Sequence, residues 1–395
     1  MKKVFLGAAT LALLSTSAYA TKARLLALGD EVEDNYYTMD DRYIFTNASF
    51  VNNYGDMVVL EYGEEGVGTG TTTLDTDSDP KAMGGFFKKI GKLTYGVYVG
   101  NESNISSSLR ILASDVSAPT GSYLATSDNQ VEFFLGGEAG VNWGASFVYA
   151  SSERDVSILS GAGSEKHEDD AMAIKLGVNK DNWDGYANIS LMSEAENKAT
   201  GNKFEGKLGV QVGGSYTFNQ DLKTYASYKM FQWDQSRAGA DGEGDLSRLD
   251  LGVGKEYKID GGMVFIRTAF QMIDVELTEG AVDASLTTMN LPVVIGAEAK
   301  ANEWLTIRGS VSQSIYSNAD SDSLVAYAGA PNALNELVWG VIQNYNGGGD
   351  GDASFNNTTT VALGATLTYK AVDFDIYAGM NGGDTNSRVA MKYSF

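Results

Sequence analysis

The chain has 395 residues, with 29 lysines and arginines against 51 aspartates and glutamates, a formal net charge of -22. Such an acidic chain is excluded from nucleic-acid binding, which needs basic groups to neutralise phosphates, and with no cysteine it is not held together by disulfides. Glycine (46) and tyrosine (21) are abundant while proline is down to four, a balance that favours strands, whose ladders proline interrupts.

At the N-terminus Lys2 and Lys3 precede an apolar run from Val4 to Leu14, and the small-residue site Ala18-Tyr19-Ala20 follows. This is the order of a secretory signal peptide over residues 1–20, with an apolar run too short to span a bilayer. Cleavage before Thr21 removes two of the 29 basic residues and leaves 27 against 51 acidic ones, a net charge of -24. Residues 21–55 then form a segment that is either periplasmic or lumen-filling, and a repeating pattern occupies residues 56–395. No later stretch offers the eighteen or so apolar residues of a membrane helix.

Within the repeating pattern, apolar residues alternate with polar ones and hairpins recur. Val58, Leu60 and Tyr62 rise alone, and Met83 to Phe87 turns at Gly91 into Leu93, Tyr95, Val97 and Val99. Val131, Phe133 and Leu135 turn at Gly140 into Trp143, Ala145, Phe147 and Tyr149; Met172, Ile174, Leu176 and Val178 turn at Asp181-Asn182 into Trp183, Ala187, Ile189 and Leu191. Leu208, Val210, Val212 and Tyr216 turn at Asn219 to Asp221 into Leu222, Ala226 and Tyr228, while Leu249, Leu251 and Val253 turn at Asp260-Gly261 into Val264, Ile266 and Phe270. Leu291, Val293, Ile295 and Ala297 turn at Asn302-Glu303 into Leu305, Ile307 and Val311, and Leu363 to Tyr369 turns at Lys370-Ala371 into Val372, Phe374, Ile376 and Ala378. The chain ends on Val389, Met391, Tyr393 and Phe395.

The count is about sixteen strands, an even number joined by short turns on one side and long acidic loops on the other. That is an all-β, antiparallel transmembrane barrel with periplasmic turns and extracellular loops. In a soluble sandwich the opposite face, with Lys175, Gln211, Lys229, Arg248, Asp250, Arg267, Glu298, Arg308 and Asp373, would place unpaired charge in a dry core. Aromatics at strand ends, including Tyr62, Trp143, Tyr149, Trp183, Tyr216, Tyr257, Trp304, Tyr316 and Tyr369, fit interfacial girdles. Four stretches read as long loops: Ser151 to Asp170, Ser236 to Asp245, Asp274 to Thr288 and Ser317 to Asn357. The first contains the only histidine, His167. Asp75-Thr76-Asp77-Ser78-Asp79 resembles a calcium loop only in part, since Pro80 and Phe86 occupy the positions of its glycine and bidentate glutamate. Between Pro331 and Tyr345, Leu334, Leu337, Val338, Val341 and Ile342 recur at helical spacing, so an amphipathic helix is expected in the last loop, either folded into the lumen or at the rim.

The closing strand resembles the C-terminal strand of Gram-negative outer-membrane barrels, in which the terminal phenylalanine is an assembly signal; the resemblance assigns that role to Tyr393 and Phe395. At the other end, Ala23-Arg24-Leu25-Leu26-Ala27-Leu28-Gly29 and Asn47-Ala48 resemble the Ala-Arg-x-x-Ala-Leu-Gly and Asn-Pro-Ala pattern of barrels related to the long-chain fatty acid transporter, whose N-terminal segment is a plug. Ala48 stands where that pattern has proline, and that family has fourteen strands.

The expected function is a porin-like channel for passive diffusion of small hydrophilic solutes, its pore lined by Lys175, Lys229, Arg248, Asp250, Arg267, Glu298, Arg308 and Glu336. A surface or binding barrel with a blocked lumen, or a hydrophobic-solute transporter, is the alternative. No catalytic residue, metal site or cofactor is expected. Lipids and lipopolysaccharide of the outer membrane and the outer-membrane assembly machinery are the expected partners, and the porin resemblance implies a homotrimer.

Overall fold

The computed structural model describes residues 21–31, 34–38, 40–63, 81–101, 130–157, 164–198, 200–219, 221–237, 239–280, 282–322, 351–352, 359–381 and 384–395. The signal sequence, the Asp75 to Asp79 run and the 331–345 segment with Glu336 lie outside these residues.

Seventeen strands run in chain order. The first four are short: β1 (Met57–Gly63), β2 (Lys81–Ile90), β3 (Leu93–Val99) and β4 (Val131–Glu138). Nine long ones follow: β5 (Asn142–Ser157), β6 (Ser164–Lys180), β7 (Trp183–Asn197), β8 (Asn202–Phe218), β9 (Leu222–Arg237), β10 (Ala240–Ile259), β11 (Gly262–Glu279), β12 (Val282–Asn302) and β13 (Leu305–Asp322). The chain ends in β14 (Gly351–Asp352), β15 (Thr360–Tyr369), β16 (Val372–Asn381) and β17 (Asp384–Ser394). Two-residue β14 pairs with Asp320 and Ser321 of β13. The other sixteen form one antiparallel sheet in sequence order, closed because β1 pairs with β2 on one side and β17 on the other. Closure leaves no unpaired edge, the condition for a sheet in lipid.

The period of two sets the faces. Ile266 and Ile307 are 42% and 50% exposed on the outer surface, whereas their neighbours Arg267 and Arg308 are 7% and 4% exposed and point inward. Tight turns at Gly91, Gly140, Asp181, Asn219, Gly261 and Lys370 have positive φ, which glycine, asparagine and aspartate tolerate best. Trp304 at the turn between β12 and β13 and Tyr316 farther along β13 are both exposed on the outer face. At roughly 3.3 Å per residue and a tilt near 40°, the stretch between them rises about 30 Å, close to the height of a hydrocarbon core.

Three of the four expected long loops are largely strand. β5 runs to Ser157 and β6 starts at Ser164; β9 and β10 are separated only at 238–239, and β11 and β12 only at 280–281. His167 therefore lies in β6, buried on its inner face, rather than in a loop. The fourth also begins as strand, with β13 reaching Asp322. Their polar composition reflects water on the outer face beyond the bilayer, where cross-strand ion pairs such as Lys166–Glu153 and Lys207–Asp234, both at 2.6 Å, hold the ladder. Pro292 interrupts β12 at a register shift, the place in a ladder where proline is tolerated.

The C-terminus sits on the closing seam. The Phe395 amide donates to the Asp56 carbonyl at 3.0 Å, and its ring stacks on Phe86 with centroids 6.0 Å apart. Deleting Phe395 removes both contacts and should lower the yield of heat-modifiable barrel in membranes; undiminished yield would reject an assembly role for this residue.

Candidate functional site

The segment 21–54 lies inside the barrel, because its side chains bond to the inner faces of strands all around the wall. Its first element, helix α1 (Lys22–Ala27), starts at Thr21, whose side chain caps the Arg24 amide. It ends in a Schellman turn: the Gly29 amide donates to the Leu26 carbonyl and the Asp30 amide to the Leu25 carbonyl. Gly29 has φ +68°, and a Cβ there would come within 2.8 Å of Ser310 Oγ, so both conformation and space require glycine. Ala23 and Ala27 pack on Ala362 and Tyr377 of the wall. The small residues of the Ala-Arg-x-x-Ala-Leu-Gly pattern thus let the helix approach the strands.

Two 3-10 turns follow, Asp41–Phe45 and Ala48–Asn53. Asn47 caps the second through the Ser49 amide and reaches the wall through Asp184 at 3.1 Å. Ala48 occupies the first position of that turn, where an amide has no helical partner and proline or alanine both fit. Its carbonyl lies so near the wall that a Cβ on Gly144 would be 2.2 Å away. Tyr43, Ile44, Phe50 and Val51 join Met83, Phe87, Tyr98 and Phe134 of β2 to β4 in an apolar core.

Charge does most of the docking. Arg24 holds Glu298 through two bonds of 2.9 and 3.1 Å and Asp40 at 3.2 Å. Glu298 is shared with Arg308 at 2.8 Å, and Arg308 also reaches Asp375 at 3.1 Å. Across the lumen, Asp34 accepts from Lys229 at 2.7 Å and Arg248 at 3.3 Å, and Glu31 accepts from Arg248 at 2.9 Å. Asp30 pairs with Arg267 at 2.8 Å, and Arg42 with Glu61 at 3.1 Å. Burial alone would push Asp34 up, but Lys229 and Arg248 outweigh it and hold the carboxyl well below its usual range. Asp41 differs: loss of hydration dominates and pushes it up to about 7, against the pull of Lys392. Truncating Arg24 would strand its buried partners and cost roughly 3 kcal/mol of docking, the low end for breaking such a pair.

Of the expected pore-lining residues, Lys175, Lys229, Arg248, Asp250, Arg267, Glu298 and Arg308 all face inward. They do not line one open surface. Lys175 pairs with Glu132 of β4 at 3.0 Å, Arg248 binds Asp250 at 2.6 Å on its own strand, and the rest of the network runs to the plug. Glu336 lies outside the described residues, while Arg248, Arg267 and Arg308 each already face acids. Glu61, Asp184 and Asp375 of the wall and Asp30, Glu31, Asp34 and Arg42 of the plug were not singled out from sequence, and Arg24 only as part of the N-terminal pattern. Extending the inward parity through every strand would have found the wall acids.

Above the plug, on the side away from the tight turns, the inner wall turns apolar. Trp233, Leu246, Ile273, Val275, Leu277 and Leu286 share the face of Lys229, Arg248 and Gln271 and are buried. Leu246 stands opposite Phe231 and Val275, and Val275 opposite Leu286. Phe231, Trp233 and Phe204 stack with centroids 6.0 to 6.2 Å apart. Several of these positions fall in stretches read as loops; their alternation, Ile273-x-Val275-x-Leu277, was the available signal.

No family model matches the chain, and no curated protein does. Among solved structures, the toluene transporter TbuX of Ralstonia pickettii is 12% identical, with 96% of this chain and 99% of that one covered and a TM-score of 0.38. A loop-deleted OmpT of Vibrio cholerae is 12% identical over 86% and 97% of the chains (TM-score 0.39), and CdiB of Acinetobacter baumannii 10% identical over 86% and 59% (TM-score 0.43). This chain is a closed antiparallel β-barrel of sixteen strands with an apolar outer face. Its architecture stands on strand pairing and face parity in the structure itself.

The plug refines the labelling expected of the wall. Cysteines at 266 and 307 should resist a water-soluble thiol reagent with or without residues 21–54. Cysteines at 267 and 308 should react slowly in the intact barrel and rapidly once residues 21–54 are deleted. Equal, rapid labelling at 267 and 308 in both forms would place the segment outside the lumen.

Proposed function

We propose that this barrel is a plugged outer-membrane transporter for small apolar solutes. The observation that carries the reading is the lumen itself: an N-terminal segment bonded to the wall through buried ion pairs on the side of the tight turns, with an aromatic and aliphatic wall immediately beyond it. Trp233, Leu246 and Val275 are packed away from solvent in the structure, so an apolar solute would enter by parting this wall, gaining about 25 cal/mol for each Å² of its own apolar surface that leaves water. Passage toward the periplasm would then require a local rearrangement of plug contacts, a process driven by differential affinity for the rearranged state. The N-terminal resemblance to barrels of the long-chain fatty acid transporter type supports the same direction.

The porin-like reading for small hydrophilic solutes has one observation on its side, the many ionised groups of the inner wall, which a water path would solvate if the plug withdrew. Planar-bilayer conductance and binding of an apolar fluorescent probe separate the two. The native barrel should conduct little, open to a large conductance when residues 21–54 are deleted, and bind the probe saturably, with affinity reduced about tenfold by Leu246→Asp through loss of apolar contact and an uncompensated charge. A large ohmic conductance in the native barrel with no saturable probe binding would favour the hydrophilic channel and overturn the apolar-solute reading.

A further inference from the structure

Thr21, the residue expected to come first after cleavage of the signal, is among the most buried of the described residues in the uncut chain. Thr21 is 0% exposed, and its hydroxyl donates to Asp375 Oδ2 at 3.0 Å. The next amide, Lys22 N, donates to Glu61 Oε1 at 2.6 Å. Bond lengths alone keep the Thr21 nitrogen within about 7 Å of both carboxylates. A third acid belongs to the same cluster: Asp41, 3% exposed, feels the charges of Glu61 and Asp375, yet neither of its carboxylate oxygens has a hydrogen-bond partner among the described residues. Buried Lys392 is the ammonium that acts on Asp41, and the nearby guanidinium groups are engaged, Arg42 with Glu61 and Tyr98, Arg308 with Asp375 and Glu298, and Arg24 with Glu298 and Asp40.

We propose that the α-ammonium released at Thr21 by cleavage after Ala20 is a structural cation of the lumen, docking among Asp41, Glu61 and Asp375 and strengthening the hold of the plug in the processed chain. In the uncut chain the Thr21 nitrogen is a neutral amide and adds no positive charge to this group of buried carboxylates. After cleavage the same nitrogen carries a positive charge and three donors. The dipole of α1 disfavours a cation at its start, but three carboxylates close by outweigh a terminal partial charge. Removal of the export signal would thereby be coupled to closure of the lumen, whichever solute the barrel passes.

The test uses full-length barrels refolded from chains that begin at Thr21 with a free amine, at Thr21 with an acetylated amine, or at a retained Ala20. Folding of each is scored by heat modifiability, and plug docking by the rate of tryptic cleavage at Arg24. The acetylated and extended chains should be cut at least about tenfold faster, because proteolysis follows the population of the undocked state. Asp41→Asn should accelerate cleavage in the free-amine chain and have little further effect in the acetylated one. If Asp41→Asn does not fold, Glu61→Gln makes the same comparison. Equal rates for free and acetylated chains, an equal mutational effect in both backgrounds, or native protein whose N-terminal mass does not begin at Thr21 would each overturn the proposal.

Discussion

A charge held away from bulk water must find a partner, and in this barrel wall and plug supply one another's. Within the apolar belt the outer face of the strands is given to lipid, so the ionised side chains at that level point inward. There Arg248, Arg267, Arg308 and Lys229 would be costly without counter-charges. Residues 21–54 carry six acidic and three basic side chains, and the acids at 30, 31 and 34 meet three of those cations while Arg24 and Arg42 meet the wall acids Glu298 and Glu61. The plug is placed by this complementarity around the circumference more than by its single short helix, which is too brief to be stable alone.

The small residues of the plug follow from the same demand for close approach. Ion pairs of about 3 Å form only if backbone and wall come within contact distance, which the alanines of α1, Gly29 and the glycine opposite Ala48 permit. A bulkier residue at any of these points would move several salt bridges apart together, because the pairs share acceptors: Glu298 serves Arg24 and Arg308, and Asp34 serves Lys229 and Arg248. Such sharing makes docking cooperative.

Much of the barrel was legible in the sequence because strand parity is local: Ile266 beside Arg267 and Ile307 beside Arg308 declare their faces within two residues. Strand length was less legible. Beyond the bilayer both solvents of a strand can be polar, so β5 to β13 lose the apolar signature while their ladders continue, and their inward apolar residues sat inside stretches rich in glycine and acid. Docking of the plug was legible only as a resemblance in residues 23–29, since its contacts are remote: Arg24 meets Glu298 across 274 positions of chain, a distance no periodicity reports. Lys175, Lys229, Arg248, Asp250, Arg267, Glu298 and Arg308 face inward, but their partners could not be read without the fold.

The central claim is that residues 21–54 occupy the lumen in the position that these pairs define. Because the chain has no cysteine, a disulfide can be introduced without competing thiols. A Cβ built on Gly364 of β15 lies 2.6 Å from the Ala27 Cβ, close enough that a small shift gives disulfide geometry. The double variant Ala27→Cys with Gly364→Cys should therefore cross-link spontaneously in the outer membrane, recovered as a single disulfide-linked peptide pair, while Ala27→Cys with Leu363→Cys, one residue over and facing lipid, should not. Absence of the 27–364 link, or equal linkage to 363, would contradict a plug seated in this lumen.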